Sequence, residues 1–353
     1  MVSIGAGAVG ETGQRGAPTE LLAVAGRLVD GYGRVHTDLR VSLTDRCNLR
    51  CSYCMPPEGV AWLPRPELLT DDEVVRIVAV TVALGVRSVR LTGGEPLLRP
   101  GLVDLVRRLA ALTPRPELSM TTNGIGLDRC ATALAAAGLD RVTVSLDTLR
   151  AEVFARIAHR DRLPEVLAGL AAAESAGLSP VKVNAVLLRG VNDDEAVALL
   201  EFCLDRGYRL RFVEQMPLDP QHSWDRASMV TAAEILDRLT ARWTLIPVAA
   251  ARGSAPAEEW LVDGGPATVG IVASVTSPFC AACDRIRLTA DGQVRNCLFA
   301  MEESDVRAAL RDGADDAALA ERIRAAVAGK RAGHGIDDPA FVQPRRPMSA
   351  IGG

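Results

Sequence analysis

Leu39-Arg-Val-Ser-Leu-Thr-Asp-Arg-Cys47-Asn-Leu-Arg-Cys51-Ser-Tyr-Cys54 runs an alternating, strand-like segment straight into three cysteines spaced x3 and x2. Thiolates are the ligands of iron–sulfur clusters, and a four-iron cluster ordinarily takes four of them. No His or Cys lies between 55 and 129, so a cluster held here would keep one iron open to another ligand. A zinc knuckle would want a fourth protein ligand, and a redox CxxC pair would leave Cys47 idle. The spacing therefore points to a site-differentiated cluster, suited to chemistry rather than electron storage.

From this strand onward the chain alternates strand and helix patterns. Strand-like runs are Leu39–Leu43, Val86–Leu91, Glu117–Thr121, Arg141–Leu146, Val181–Leu188 and Leu210–Val213. Helical patterns lie at about 71–84, 101–112, 127–138, 163–177, 193–206 and 232–240. Asp71 and Asp72, and Asn192-Asp-Asp, are candidate N-caps. Six β/α units in about 205 residues are too few for a closed eight-stranded barrel. The expected fold class is α/β, a partial (β/α)6 TIM-type barrel, with a doubly wound open sheet as the alternative. Beyond about 243 the rhythm changes to a C-terminal α+β module. It has strands in WTLIPV and ATVGIVAS, a hairpin of Asp284–Thr289 and Gln293–Leu298 about Ala290-Asp-Gly, and helices at 303–312 and 316–328. The expected division is 1–27 as a flexible extension, 28–242 as the barrel and 243–353 as the C-terminal domain. Gly5-Ala-Gly7-Ala-Val-Gly10 matches a dinucleotide fingerprint, with Asp30 downstream, but Gly13, Gly16 and Pro18 forbid the helix that should follow.

Composition narrows the function. The 353 residues are 48% hydrophobic with a net charge of −4, enough for a large core and wrong for a general nucleic-acid surface. Any anionic ligand must be held by local arginines. Apolar runs stop well short of a membrane span, and no secretory signal is legible. Eight cysteines in such a chain suggest metal or redox work in a reducing, cytoplasmic compartment.

The C-terminal module carries a second triplet, Cys280-x2-Cys283-x13-Cys297. Hairpin pairing would fold the long gap back and gather the three sulfurs. His334 is the nearest spare ligand, and a Cys3His zinc site is the competing arrangement. Cys130 and Cys203 sit within helical patterns and read as small buried hydrophobes.

The CxxxCxxC motif with Tyr53, together with Gly93-Gly-Glu-Pro96, resembles the radical S-adenosylmethionine (SAM) superfamily. LxDxxGR at 28–34, RLTGGEPLLR at 90–99, TTNG at 121–124, SLDTL at 145–149, VKVNAV at 181–186, CDRIRL at 283–288 and the final Gly-Gly resemble, more closely, the GTP 3′,8-cyclase family of molybdenum cofactor biosynthesis. That resemblance covers about 28–353. It implies two 4Fe–4S clusters, on Cys47, Cys51 and Cys54 and on Cys280, Cys283 and Cys297. It implies SAM at Tyr53, Gly94, Ser145 and Met216, and GTP at Arg40, Arg90, Thr121, Lys182, Arg285 and Arg287. Arg285, Arg287, Gly352 and Gly353 carry catalytic roles in it. It also implies an external one-electron reductant and a downstream cyclic pyranopterin monophosphate synthase, leaves room for a homodimer, and calls for neither nucleic acid nor membrane. Arg90, Thr121, Ser145 and Met216 are expected at or just past strand C-termini, where barrel sites are built. Arg285 and Arg287 alternate to share one face. Lys182, near a strand start, rests on the resemblance alone. A radical SAM enzyme that matures a peptide is the alternative function, and a zinc-bearing regulatory protein is a non-enzymatic one.

Overall fold

The computed structural model describes residues 26–219 and 221–352, so Gly353 and the glycine-rich dinucleotide-like motif lie outside the described residues. Strands β1 (Asp38–Ser42), β2 (Ser88–Thr92), β3 (Glu117–Thr122), β4 (Arg141–Ser145), β5 (Lys182–Val186) and β6 (Arg209–Val213) pair in parallel, each with the next in sequence. Helices α1 (Asp71–Ala83), α2 (Leu102–Ala110), α3 (Ala131–Ala137), α4 (Ala151–Ala158), α5 (Leu163–Ser175) and α6 (Ala196–Asp205) connect them, and α7 (Ala232–Thr240) follows β6. A strand order that advances by one at every right-handed crossover keeps all the helices on one face. A doubly wound sheet must reverse its order once, and this one does not.

The C-terminal segment does not stand apart from that sheet. It contributes β7 (Leu245–Pro247), β8 (Glu258–Val262), β9 (Thr268–Val272), β10 (Arg285–Leu288), β11 (Gln293–Arg295) and β12 (Ser304–Asp305). β9 adds in parallel to β6, and β10 adds in parallel to β1. Eight parallel strands result, with β8 and β7 antiparallel beyond β9, and β11 and β12 antiparallel beyond β10. Helices α8 (Val306–Arg311), α9 (Asp316–Ala328) and α10 (Met348–Ile351) complete the described chain.

Side-chain alternation explains why the sheet has one dry face and one polar face. Leu39, Val41, Val89, Leu91, Leu118, Met120, Val142, Val144, Val183, Leu210 and Phe212 are buried in the helix-side core. The residues between them, such as Arg40, Arg90, Thr143 and Arg211, fall on the other face. Parallel strands covered on both sides ordinarily read as continuous apolar runs. Here the inner face encloses a polar cavity instead.

Several local expectations are corrected. Helix α1 is capped by Thr70, whose hydroxyl accepts from Glu73 N while Glu73 reaches back, rather than by Asp71 or Asp72. Asn192 caps nothing with its side chain; its Nδ2 donates to Asp147 O at 2.7 Å and Val186 O at 3.0 Å, bracing the ends of β4 and β5. The 284–298 hairpin is shorter than expected. Gly292, at φ +77°, donates to Thr289 O, so the turn uses 289–292 and β11 ends before Cys297. α4 and β8 were not anticipated. No helix among the described residues is long and apolar enough to cross a membrane.

Candidate active site

The polar face lines a cavity of about 510 Å³. Arg40, Arg90, Thr121, Lys182, Arg285 and Arg287, the residues singled out from the sequence, all border it. So do Arg141, Arg211 and Arg252, against two carboxylates among the described residues, Asp38 and Asp284. Strand register creates this concentration, because Arg40 stands opposite Arg90 on one side and Arg287 on the other. Like charges facing each other across neighbouring strands destabilise a sheet, so an anion in the cavity is the natural compensation. Burial, with neighbouring cations adding to it, pulls Arg40 and Arg287 down to about 9 and Arg90 to about 10. All three stay charged near neutrality. Lys182 opens β5 and is drawn in by register with Thr143; burial, then Arg211, Arg141 and Arg90, bring it to about 7. The Nε atoms of Arg40 and Arg90 are buried donors without a protein partner among the described residues, which suits ligand contact. Arg90 sits mid-strand in β2, not at its C-terminal end as expected, and donates to Thr121 Oγ1 at 3.4 Å and Thr143 Oγ1 at 3.3 Å. Two guanidiniums lie over the Phe279 ring, Arg285 at 4.4 Å from its centre and Arg252 at 5.1 Å.

A second cavity of about 230 Å³ adjoins the first, sharing Thr121, Asn184, Val213, Met216 and Met348 as walls. Cys47, Cys51 and Cys54, from the loop after β1, line it together with Tyr53, Gly94 and Ser145. Gly94 packs so closely on that loop that a Cβ would come within 2.5 Å of Asp45 O. Gly94 N and Glu95 N bond back to Thr44 O at 2.6 Å and Arg46 O at 2.7 Å, fixing the cysteine loop against the end of β2. Glu95 is buried and accepts from Thr122 Oγ1, Asn123 N and Leu97 N; burial outweighs these bonds and lifts it to about 7. Tyr53 donates to Asp147 Oδ2 at 2.7 Å, and burial raises Asp147 to about 6. Burial also raises all three thiols, Cys54 to about 12; a bound cation would act the other way, favouring the thiolates.

The second triplet borders the larger cavity. Cys280 and Cys283 flank one turn before β10, and Cys297 lies two residues past β11. Burial acts to raise Cys283, but Arg285 and Lys330 beside it more than offset this and lower it. His334 is not a spare ligand: Nε2 bonds Ser274 O at 3.0 Å and Nδ1 accepts from Ile336 N at 3.1 Å. Its position still matters, because its backbone N–H bonds the Cys280 thiol. All eight cysteines are free. Among the described residues no three His, Cys, Asp or Glu side chains converge on one ion. Cys203 is buried as expected, whereas Cys130 precedes α3 and is half-buried.

The tail enters the same site. Gly352, at φ +83°, is packed where a Cβ would meet Thr92 Oγ1 at 2.5 Å, and its carbonyl accepts from Arg287 Nη1. Sequence reasoning missed Arg141, Arg211, Arg252 and Lys330. Of these Arg141 carried a sequence signal, the even spacing that sets it on the same face of its strand as Ser145.

Family models described as Radical SAM superfamily and as Molybdenum Cofactor Synthesis C match residues 41–203 and 208–336. A Streptomyces coelicolor protein named GTP 3′,8-cyclase is 66% identical over 328 residues, 92% of this chain and 96% of that protein. One of the same name from Mycolicibacterium smegmatis is 58% identical over 349 residues, 98% of this chain and 95% of its own length. Among solved structures, Streptococcus suis SuiB bound to precursor peptide SuiA is similar at a TM-score of 0.56 and 14% identity, covering 85% of this chain and 69% of that one. That likeness speaks to the fold alone.

Proposed function

This chain belongs to the GTP 3′,8-cyclase family, radical SAM enzymes of molybdenum cofactor biosynthesis, and we propose that its two adjoining cavities divide the reaction between a radical source and the nucleotide. In this division Cys47, Cys51 and Cys54 ligate one 4Fe–4S cluster, within 28–242. Cys280, Cys283 and Cys297 ligate the other, within 243–353. When bound, the first cluster and SAM would supply a 5′-deoxyadenosyl radical to take the C3′ hydrogen of GTP; C3′ would then bond to guanine C8 as the C8–N7 double bond becomes single, and a further electron from the external reductant with a proton would quench the radical left on N7.

The chain's own residues do the rest. Tyr53, Gly94, Ser145 and Met216 border the cavity that would take SAM, where Gly94 leaves room for close backbone approach and the Glu95 carboxyl, on the same wall, would complement the methionine ammonium. Arg40, Arg90, Thr121, Lys182, Arg285 and Arg287 hold GTP. Guanidinium groups remain charged and bind phosphate oxygens bidentately, which suits a chain without a P-loop motif. Met216 and Met348, on the shared wall, help keep water from the radical path. Arg287, tied to the Gly352 carbonyl, couples the Gly-Gly tail to the nucleotide. An external one-electron reductant feeds the first cluster, and the cyclised product passes to a cyclic pyranopterin monophosphate synthase.

The observation that carries this reading is the shared wall between a cysteine-lined cavity and a cation-lined one that holds its own cysteine triplet. Anaerobic reconstitution should give about eight irons per chain, the content of two four-iron clusters. GTP, SAM and reductant should then yield a 3′,8-cyclised nucleotide and 5′-deoxyadenosine. Iron for one cluster alone, or no cyclised nucleotide from a fully loaded protein, would overturn it.

A further inference from the structure

Lys330 follows α9 and is only 5% exposed. Its Nζ donates to Arg285 O at 2.7 Å, Cys283 O at 3.3 Å and Cys283 Sγ at 3.4 Å. Three acceptors match the three N–H bonds of an ammonium, whereas a neutral amine would leave one unmet. None of the three is a carboxylate. A buried charge needs a countercharge, and the contacting atom that could supply one is Cys283 Sγ as a thiolate.

The neighbouring cation is handled differently. Arg34 Nε is paired with Asp30 Oδ2 at 2.6 Å, while its Nη atoms bond Cys280 O at 2.7 Å, Ala332 O at 3.0 Å and Arg331 O at 2.6 Å. Asp30 is itself held by His36 and by the backbone of Tyr32 and Arg34. Arg34 therefore staples the segment after Lys330 to the Cys280 turn with its charge already balanced. Lys330 is fixed beside Cys283 with its charge unspent. Among the described residues no ammonium bonds the first triplet: Cys47 Sγ accepts from the neutral donors Leu49 N at 3.5 Å and Asn123 Nδ2 at 3.9 Å.

We propose that Lys330 is a positioning residue for the second cluster, raising its reduction potential through the ammonium-to-Cys283 contact. The inference rests on Cys280, Cys283 and Cys297 being cluster ligands. Reduction adds one electron from an external one-electron donor, makes the cluster one unit more negative, and forms or breaks no bond. A fixed positive charge and an N–H···S hydrogen bond stabilise the reduced form more than the oxidised form, so the potential rises.

The test is an EPR-monitored redox titration of the full-length, anaerobically reconstituted protein, resolving the signals of both clusters, with iron and sulfide counted on each sample. Lys330→Met should make reduction of the second cluster about tenfold less favourable, about 59 mV for one electron. It should leave the first cluster's potential and the iron count unchanged, and Lys330→Arg should restore most of the shift. An unmoved second potential in a fully loaded Lys330→Met protein, or an equal shift of both clusters, overturns the proposal. If Lys330→Met does not load, Lys330→Gln keeps a neutral donor, and an unshifted potential there overturns it equally. Wild-type protein that binds iron for one cluster alone removes the ligand assignment itself, a result the iron count separates from a failure of Lys330.

Discussion

Lys182 shows how burial turns an ordinary lysine into a pH-sensitive contact. Its folded value of about 7 lies below its ordinary 10.5. Between those values the unfolded chain holds the extra proton, so the fold gains stability as pH rises through that window. The same deprotonation removes a positive charge from the cavity. GTP binding should therefore weaken above about pH 7, by up to about tenfold per pH unit, while Lys182→Arg should bind with a flatter profile. Calorimetric Kd values on either side of neutrality decide this, and an identical slope in the two proteins would count against it. Gly94 offers a steric test. A methyl there meets the Asp45 carbonyl, a backbone atom that cannot swing aside, so Gly94→Ala should cost about 1–3 kcal/mol in denaturant unfolding and loosen the first cysteine loop. Residue identity was legible at both positions because each sits in a recognisable motif. Lys330 was not legible, since a lysine just after a helix reads from sequence as an ordinary C-terminal basic residue.

At the level of elements, α10 is a small latch. Ile351 packs with Leu218 and Phe299 in a minor core separate from the main one, and Gly352 after it holds Arg287, which borders the larger cavity. A minor core opens without unfolding the whole. Ile351→Ala should therefore sharply reduce turnover while thermal unfolding and iron content barely move; a large drop in Tm would show that the tail supports the fold and not only the site. The strands of the barrel were readable because their apolar parity is strict. β8 was not, since Glu258 and Glu259 open it and its central residues are only partly buried. α4 escaped because it has only eight residues and follows directly on the conspicuous SLDTL motif. Arg141 and Arg211 were missed for a related reason. A single strand reveals which residues share a face, but only the register of several strands reveals that those faces converge.

At the scale of the molecule, the sequence suggested a six-stranded open barrel followed by a separate module, and the sheet does begin that way. What periodicity could not disclose is that the module supplies one parallel strand to each open edge, Arg285 opposite Asp38 and Val269 opposite Leu210. Pairing partners so distant in sequence leave no local trace. Residues 28–242 expressed alone should thus present two bare parallel edges, β1 and β6, and aggregate; a soluble, monomeric fragment by light scattering would refute this. During synthesis the first strand must wait unpaired on one side until residue 285 has left the ribosome. Long-range pairing of this kind is slow and leaves sticky intermediates exposed, so the nascent chain has reason to depend on chaperones. The delay also sets an order of events: the cation-lined chamber comes into being only when the last third of the chain arrives, whereas the loop bearing Cys47, Cys51 and Cys54 is made near the beginning.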